Sequence, residues 1–168
     1  MTWKSHRILT ASTIFVLTDN YIFAIIAAIG SVFPDSVEYK LYTEQQWSKN
    51  HRTISHWFVV YVVIVLVIYL LMHDKNIFIR NFQSITYLFH RYTLEYFCLI
   101  AFLNFIFWFC IGCLLHILED SVCGSIPFLS PNRKIKLPRL FYVGSPNEYI
   151  ISFGLSLLFI IWKLANNL

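Results

Sequence analysis

The first apolar region of the chain decides its fold: residues 8–33 read ILTASTIFVLTDNYIFAIIAAIGSVF, and only Asp19 and Asn20 interrupt the run. One straight helix would place His6 and Asp35 about 43 Å apart, at a rise of about 1.5 Å per residue. It would also leave the Asp19 carboxylate in hydrocarbon, at a cost of about 2.5–3.5 kcal/mol. Because Asp-Asn is a good turn pair, we predict a hairpin of two short helices, about residues 7–18 and 21–33. The hairpin returns His6 and Asp35 to the same side of the membrane.

The composition is that of an integral membrane protein. Of the 168 residues, 58% are hydrophobic and only 13% are charged, and the mean hydropathy is +0.62. Soluble domains carry about 25% charged residues, so most of this surface cannot face water. Intrinsic disorder is excluded, because it requires low hydrophobicity and high charge. The net charge of +4 suits anionic phospholipid, and we expect membrane lipid as a partner and no direct nucleic-acid binding.

Three further apolar runs predict longer transmembrane helices, at about residues 57–72, 96–117 and 149–165. A helix needs about 20 residues to span a bilayer, so the outer two runs borrow flanking residues or cross a thinned bilayer. Residues 77–92 repeat apolar side chains every three or four positions, which predicts an amphipathic helix in the interface. We therefore expect one all-α membrane domain over residues 1–168, with the N-terminal hairpin, three longer spans and this interfacial helix.

The hairpin also fixes the orientation of the chain. It places the N-terminus and the loops at 34–56 and 116–148 on one side, and the Asp19-Asn20 turn, residues 73–95 and the C-terminus on the other. The first side carries nine Lys and Arg residues and the second carries four, so the positive-inside rule puts the first side in the cytoplasm. A straight first helix would divide them six to seven, and the rule would then give no answer.

Four of the six histidines and two aspartates fall on the cytoplasmic side in this topology. His116 and Asp120 lie four residues apart at the end of the longest span, so they share a helical face and could share a metal ion. Glu119 projects about 100° away from that face and is a less natural ligand. Imidazole and carboxylate ligands suit zinc, manganese or iron. The predicted ligands, sufficient for one or two ions, are His6, Asp35, His51, His56, His116 and Asp120.

Cys110 and Cys113 form a C-x-x-C pair, which could mark a redox or zinc site. Both lie within a membrane-spanning run, where small polarisable residues pack between helices. We favour the packing interpretation, and four cysteines do not make a disulfide framework.

The same residues carry a resemblance to a known family that covers nearly the whole chain. Its motifs here are His6, Pro34-Asp35, His51-Arg52-x-x-x-His56, His116-x-x-x-Asp120 and the end of the basic loop, Gly144-Ser-Pro-Asn-Glu148. They resemble the YdjM-like family of membrane-bound metal-dependent hydrolases, described as LexA-binding proteins of the bacterial inner membrane. That family is distantly similar to zinc-dependent phospholipase C and P1 nuclease. Where the family usually reads Pro-Asp-x-Asp, this chain has Val37, and Glu38 could replace the second aspartate.

The resemblance implies a multi-pass inner-membrane hydrolase, and the metal site is expected at the cytoplasmic face. We expect cleavage of a phosphoester, such as that of a lipid, by metal-activated water, with zinc as the leading metal and manganese or iron as alternatives. Asp35 or Glu38 is the candidate general base, and Arg52 the candidate contact for an anionic substrate. Further candidates for substrate or headgroup contact are Arg133, Lys134, Lys136, Arg139 and Glu148.

Two other functions are consistent with the sequence. The first is a non-catalytic metal-binding subunit or adaptor that binds a cytoplasmic protein partner. The second is a transporter, which we disfavour because Asn104 is the clear polar residue near the bilayer midplane and the chain has no repeated halves. The basic loop could also rest on anionic lipid without binding a substrate.

Overall fold

The computed structural model describes residues 1–41, 52–73, 93–136 and 138–166. Its α-helices in chain order are α1 (Trp3–Thr18), α2 (Tyr21–Gly30), α3 (Phe33–Leu41), α4 (Phe58–His73), α5 (Leu94–Ser121) and α6 (Pro146–Asn166). A single 3₁₀ turn, Ile54–His56, precedes α4. The predicted interfacial helix at 77–92 and the predicted ligand His51 lie outside the described residues.

The predicted N-terminal hairpin is confirmed, and its turn forms at Asp19 and Asn20. Asp19 ends α1 in the left-handed conformation (φ 54°), which Asp and Asn tolerate better than most residues. Asn20 caps α2, since its Oδ1 accepts hydrogen bonds from the backbone N–H groups of Ile22 and Phe23 at 2.9 and 3.3 Å. The Asp19 carboxylate lies 2.6 Å from the ammonium of Lys163, so the C-terminal end of α6 lies beside this turn.

The hairpin packs on α5 through two glycines. A Cβ atom on Gly30 would lie 2.1 Å from the carbonyl oxygen of Phe109, and one on Gly112 would lie 2.0 Å from that of Ala27. No side chain fits at either position, so α2 and α5 cross at backbone contact, as small residues allow between membrane helices. The Cys113 thiol donates to the Gly30 carbonyl oxygen at the same crossing, at 3.2 Å. This crossing holds α3, which follows α2, against α5.

The main apolar core lies between α1, α2, α4 and α5. Its buried members are Ile14, Phe23, Ala24, Ala27, Ile68, Met72, Ile100, Phe107 and Trp108. Large apolar side chains such as Leu66 on α4 and Leu158 on α6 are more than half exposed, which suits contact with lipid chains. Cys110 and Cys113 are buried free thiols in a second apolar cluster, in agreement with the packing interpretation.

The described helices include three stretches that are long and apolar enough to cross a membrane: Tyr21–Tyr39, Leu94–Ser121 and Pro146–Asn166. Helix α4 is apolar but shorter. The predicted runs at 96–117 and 149–165 therefore correspond to the long helices α5 and α6, and the run at 57–72 to α4. The second helix of the hairpin continues through α3 as one apolar stretch, longer than the sequence suggested. The fold is that of a helical membrane protein.

A small antiparallel sheet in the loop between α5 and α6 departs from the all-α prediction. Strands β1 (Ser125–Ser130) and β2 (Arg133–Lys136) pair from Ser125 opposite Lys136 to Ser130 opposite Arg133. The intervening Pro131 and Asn132 are residues that favour a tight turn. These strands are only six and four residues long, too short to leave a clear alternating pattern in the sequence.

Candidate metal centre

Four buried side chains meet where α3, the 3₁₀ turn and α5 come together. Asp35 comes from the first turn of α3, His56 from the 3₁₀ turn, and His116 and Asp120 from the last turns of α5. Each offers one ligand atom, and these four atoms all lie within 4.8 Å of one another. The described residues thus bring together four of the six ligands predicted from the sequence. His6 adjoins the cluster, and His51 lies outside the described residues.

The separations of the four atoms are those expected around one metal ion. His56 Nε2 lies 3.1 Å from His116 Nε2, and Asp35 Oδ1 lies 3.3 and 3.6 Å from these two nitrogens. Asp120 Oδ2 lies 3.7 Å from each of them. Ligand atoms about 2.0–2.1 Å from a tetrahedral zinc ion lie about 3.3–3.4 Å apart. The separations that involve the histidines are close to that distance, whereas all four atoms lie within 4.8 Å of one another, so the two carboxylates would have to move towards a bound ion.

The chemistry of the donors also fits a divalent cation. Two imidazole Nε2 atoms that face each other can share only one proton, whereas a cation would accept a lone pair from both. Buried His6 Nε2 makes no hydrogen bond with the described residues, although it lies 3.4 Å from Asp120 Oδ1. This set of nitrogen and oxygen donors suits zinc, manganese or iron and does not choose among them.

Glu38 holds the far side of the His56 ring. Its Oε1 lies 3.2 Å from His56 Nδ1, so a proton on Nδ1 leaves the Nε2 lone pair directed at the cluster. The same carboxylate accepts hydrogen bonds from the backbone N–H groups of Arg52 and Thr53, at 3.0 and 3.3 Å, and from the Ser55 hydroxyl. The sequence suggested Glu38 as a replacement for a second metal-binding aspartate or as a general base. The structure instead places Glu38 at the Nδ1 edge of the His56 ring, opposite the Nε2 atom that faces the cluster.

Glu119 does the same for His6 across the interface between α1 and α5. His6 Nδ1 lies 2.5 Å from Glu119 Oε2, and the Thr10 hydroxyl donates to Glu119 Oε1 at 3.0 Å. The His6 ring in turn contacts the ring of His116, with the ring centroids 4.0 Å apart and the planes tilted by 37°. The sequence did not predict this role for Glu119, because its side chain projects away from the face of α5 that carries His116. The sequence does contain one relevant feature. His6 and Thr10 are four residues apart on α1, so both side chains lie on the helical face that contacts Glu119.

Asp120 also contacts two cationic groups outside the cluster. Arg52 Nη2 lies 2.8 Å from its Oδ2, and the Met1 ammonium contacts its Oδ1. Arg52 has a left-handed backbone (φ 61°) and a side chain that is 12% exposed. Burial lowers the pKa of the Met1 ammonium, but the Asp120 carboxylate raises it by more, so the net pKa is raised. The predicted substrate contact Arg52 is thus bound to a candidate metal ligand.

Carboxylates are concentrated among the buried residues of this region. The buried carboxylates are Asp35, Glu38, Glu119 and Asp120. Among the described residues, Arg52 and the Met1 ammonium are the cations that contact them. Burial lowers the pKa of His56, but its hydrogen bonds to Asp35 and Glu38 and the charges of the nearby carboxylates together raise it by more. Buried ions require compensating charge, and a divalent cation would supply it.

The predicted basic contacts divide into two groups. Arg133, Lys134 and Lys136 are all exposed on β2, and Arg133 and Lys136 do not line the cavity described next. Lys134 and Arg139 line a cavity of about 530 Å³ together with Arg52. Through Arg52, this cavity adjoins the metal cluster.

Glu148, a predicted substrate or headgroup contact, is fully buried. Its carboxylate accepts hydrogen bonds from the backbone N–H and the hydroxyl of Thr2, at 2.6 and 2.8 Å, and from the backbone N–H of Gly144, at 2.6 Å. These bonds tie the first turn of α6 to the start of α1. A substrate would have to compete with three donors from the chain itself to reach this carboxylate.

Comparison with known proteins identifies the family. The family model described as YdjM inner membrane protein matches residues 1–167. No curated protein and no solved structure matches the chain. The family description names a membrane and no reaction, substrate or metal, and the match extends over all the helices that build the cluster. The chain belongs to the YdjM inner membrane protein family.

Proposed function

We propose that the protein is a metal-dependent hydrolase that cleaves a phosphoester at the cytoplasmic surface of the inner membrane. The observation that carries the proposal is the buried cluster of Asp35, His56, His116 and Asp120, whose ligand atoms all lie within 4.8 Å of one another. The excess of Lys and Arg in the loops on this side supports a cytoplasmic location. Zinc is the metal we propose first, and manganese or iron are the alternatives.

In this proposal the four clustered side chains hold the ion, while Glu38 and Glu119 orient the histidines. Zinc held there would supply a water nucleophile, with its pKa lowered to about 7, and a Lewis acid for the phosphoryl oxygen. His6 is the candidate general base, because Glu119 holds its Nδ1 and its Nε2 makes no hydrogen bond with the described residues. The sequence favoured Asp35 or Glu38 for this role. However, Asp35 offers an oxygen to the cluster and Glu38 already accepts several hydrogen bonds.

The test is elemental analysis of the detergent-purified protein beside single variants. We expect about one equivalent of metal in the natural sequence and its loss in His56→Ala and His116→Ala, since each removes one of the ligands a zinc site needs. His73→Ala makes the same chemical change at the far end of α4 and should retain the metal. Metal-dependent turnover of bis(p-nitrophenyl) phosphate and of lipid phosphoesters in nanodiscs would then establish the reaction. A natural sequence without metal, or His56→Ala with full metal content, would refute the proposal.

The closed set of four protein ligands favours a second candidate function. Structural zinc sites use four protein ligands, whereas catalytic sites usually keep one position open for water. The protein would then be a metal-binding subunit or adaptor for a cytoplasmic partner. Retained metal without hydrolysis of any tested phosphoester, together with a partner that co-purifies at a fixed ratio, would favour this function over the first.

A further inference from the structure

A polar cavity of about 530 Å³ lies beside the metal centre, between the end of α5, the small sheet and the loop that precedes α6. Three cationic side chains line it, contributed by separate parts of the chain: Arg52 before the 3₁₀ turn, Lys134 on β2, and Arg139 in the loop. Ser125 and Tyr142 add polar groups to the wall. Among the described residues, no carboxylate lines the cavity.

Local contacts hold this basic wall in place. The Arg139 guanidinium lies over the ring of Tyr142, with 5.2 Å from Cζ to the ring centroid. The backbone N–H of Leu140 donates to the Val122 carbonyl oxygen at 3.0 Å, which fixes the loop against the end of α5. Gly124 leaves space for Arg52, because a Cβ atom there would lie 2.5 Å from Arg52 Nη1. These contacts hold the residues of the cavity wall in defined positions.

Three cationic side chains line the cavity, one of which, Arg52, also contacts Asp120, and the cavity therefore suits an anion. Guanidinium groups present paired N–H donors that match phosphate oxygens, and an ammonium group adds a point charge. A phosphoryl group uses this set better than a carboxylate does, because it offers three oxygens to three cations.

We propose that this cavity binds a phosphoryl group, either of a lipid headgroup or of a soluble phosphate compound. Arg52 links the two sites, since it lines the cavity and its Nη2 lies 2.8 Å from Asp120. In taking the bound group to be part of the substrate, the inference rests on the function proposed above. The binding itself requires no catalysis and can be measured alone.

The experiment measures phosphate binding in two arms. Inorganic phosphate is titrated by calorimetry into protein in neutral maltoside micelles, and phosphatidic acid retained from phosphatidylcholine nanodiscs is counted by native mass spectrometry. Lys134→Gln and Arg139→Gln should each weaken binding about tenfold, because each removes a charge-assisted hydrogen bond. Lys4→Gln removes one charge from an exposed position on α1 and should leave binding unchanged. Gly124→Ala keeps every charge but displaces the Arg52 guanidinium, so it should also weaken binding.

The two arms identify the source of the phosphoryl group. An effect of the variants on free phosphate supports a soluble ligand, and an effect on phosphatidic acid alone supports a lipid headgroup. Equal binding in the cavity variants and Lys4→Gln, or no binding of either probe by the natural sequence, would overturn the inference. Helical circular dichroism and retained metal exclude misfolding as the cause of a loss.

The phosphate-binding experiment can succeed or fail independently of the tests of the hydrolase. Phosphate binding that depends on Lys134 and Arg139 in a protein without metal would refute the hydrolase and support the cavity. Normal metal content and turnover, with phosphate binding that does not depend on Lys134 or Arg139, would support the hydrolase and refute phosphate binding in the cavity.

Discussion

Substitution of Gly112 by alanine is the sharpest test of how the helices position the metal centre. The new Cβ atom would lie 2.0 Å from the carbonyl oxygen of Ala27, and contacts under 3.0 Å are essentially never seen for real Cβ atoms. Helices α2 and α5 must therefore separate by about 1 Å at this point. Overpacking of this kind typically costs about 1–3 kcal/mol of the free energy of unfolding.

The separation acts directly on the metal ligands. Gly112 precedes His116 by one helical turn on α5, and α2 leads within five residues of Gly30 to Asp35 on α3. Metal–ligand distances vary by only about 0.2 Å, so the ligand side chains would have to rotate to compensate for an opening of about 1 Å between the helices. We expect Gly112→Ala to weaken zinc binding at least about tenfold, comparable to the loss of a residue that orients a ligand.

Zinc affinity is measured by competition with a chromophoric chelator, and stability by thermal unfolding in detergent. Gly154→Ala is the matched control, because nothing lies within 4 Å of a Cβ atom at that position on α6. Zinc affinity and melting temperature equal to those of the natural sequence would show that α2 and α5 do not meet at backbone contact. A lower melting temperature with unchanged affinity would show that the crossing stabilises the fold without positioning the ligands.

Three further predictions follow from the contacts. Glu38→Gln should weaken zinc binding about 10–100-fold in the same chelator assay, because His56 loses its carboxylate partner, and unchanged affinity would contradict that role. Glu148→Ala should lower the free energy of unfolding in mixed micelles by about 1–3 kcal/mol, because buried donors that include Thr2 N–H lose their acceptor. An unchanged denaturation midpoint would count against this. Zinc at about 100 times its Kd should raise the melting temperature by roughly 5–10 °C in the natural sequence and not in Asp35→Asn. An equal rise in both would place the zinc elsewhere.

The parts of the fold that were predictable from the sequence have local causes. The hairpin turn follows from the polar pair Asp19 and Asn20 within an apolar run, and both residues end or cap a helix by their own side-chain and backbone preferences. The shared helical face of His116 and Asp120 follows from their four-residue spacing. Once the hairpin was assigned, His56 and Asp35 fell at the same level of the membrane, and the structure places them in one cluster.

The parts that were missed depend on contacts between distant segments. His6 and Glu119 are separated by 113 positions along the chain, and Thr2 and Glu148 by 146. No spacing rule connects such pairs, because their contact depends on how α1 packs against α5 and α6. The sequence also did not show which basic residues of the loop between α5 and α6 lie together. Its charges were visible in the sequence, but the strand pairing determines which of them line the cavity.

The buried carboxylates also bear on the number of metal ions, which the sequence left at one or two. Asp35 and Asp120 supply ligand atoms to a single cluster, whereas Glu38 and Glu119 accept N–H and O–H hydrogen bonds that would have to break before either bound a second ion. Val37, at the position where the resemblance predicts a second aspartate, offers no ligand atom. Among the described residues, the carboxylates are thus divided between binding a metal and orienting the histidines that bind it. We therefore expect one equivalent of metal, and two equivalents in the elemental analysis would require Glu38 or Glu119 to exchange its hydrogen bonds for a second ion.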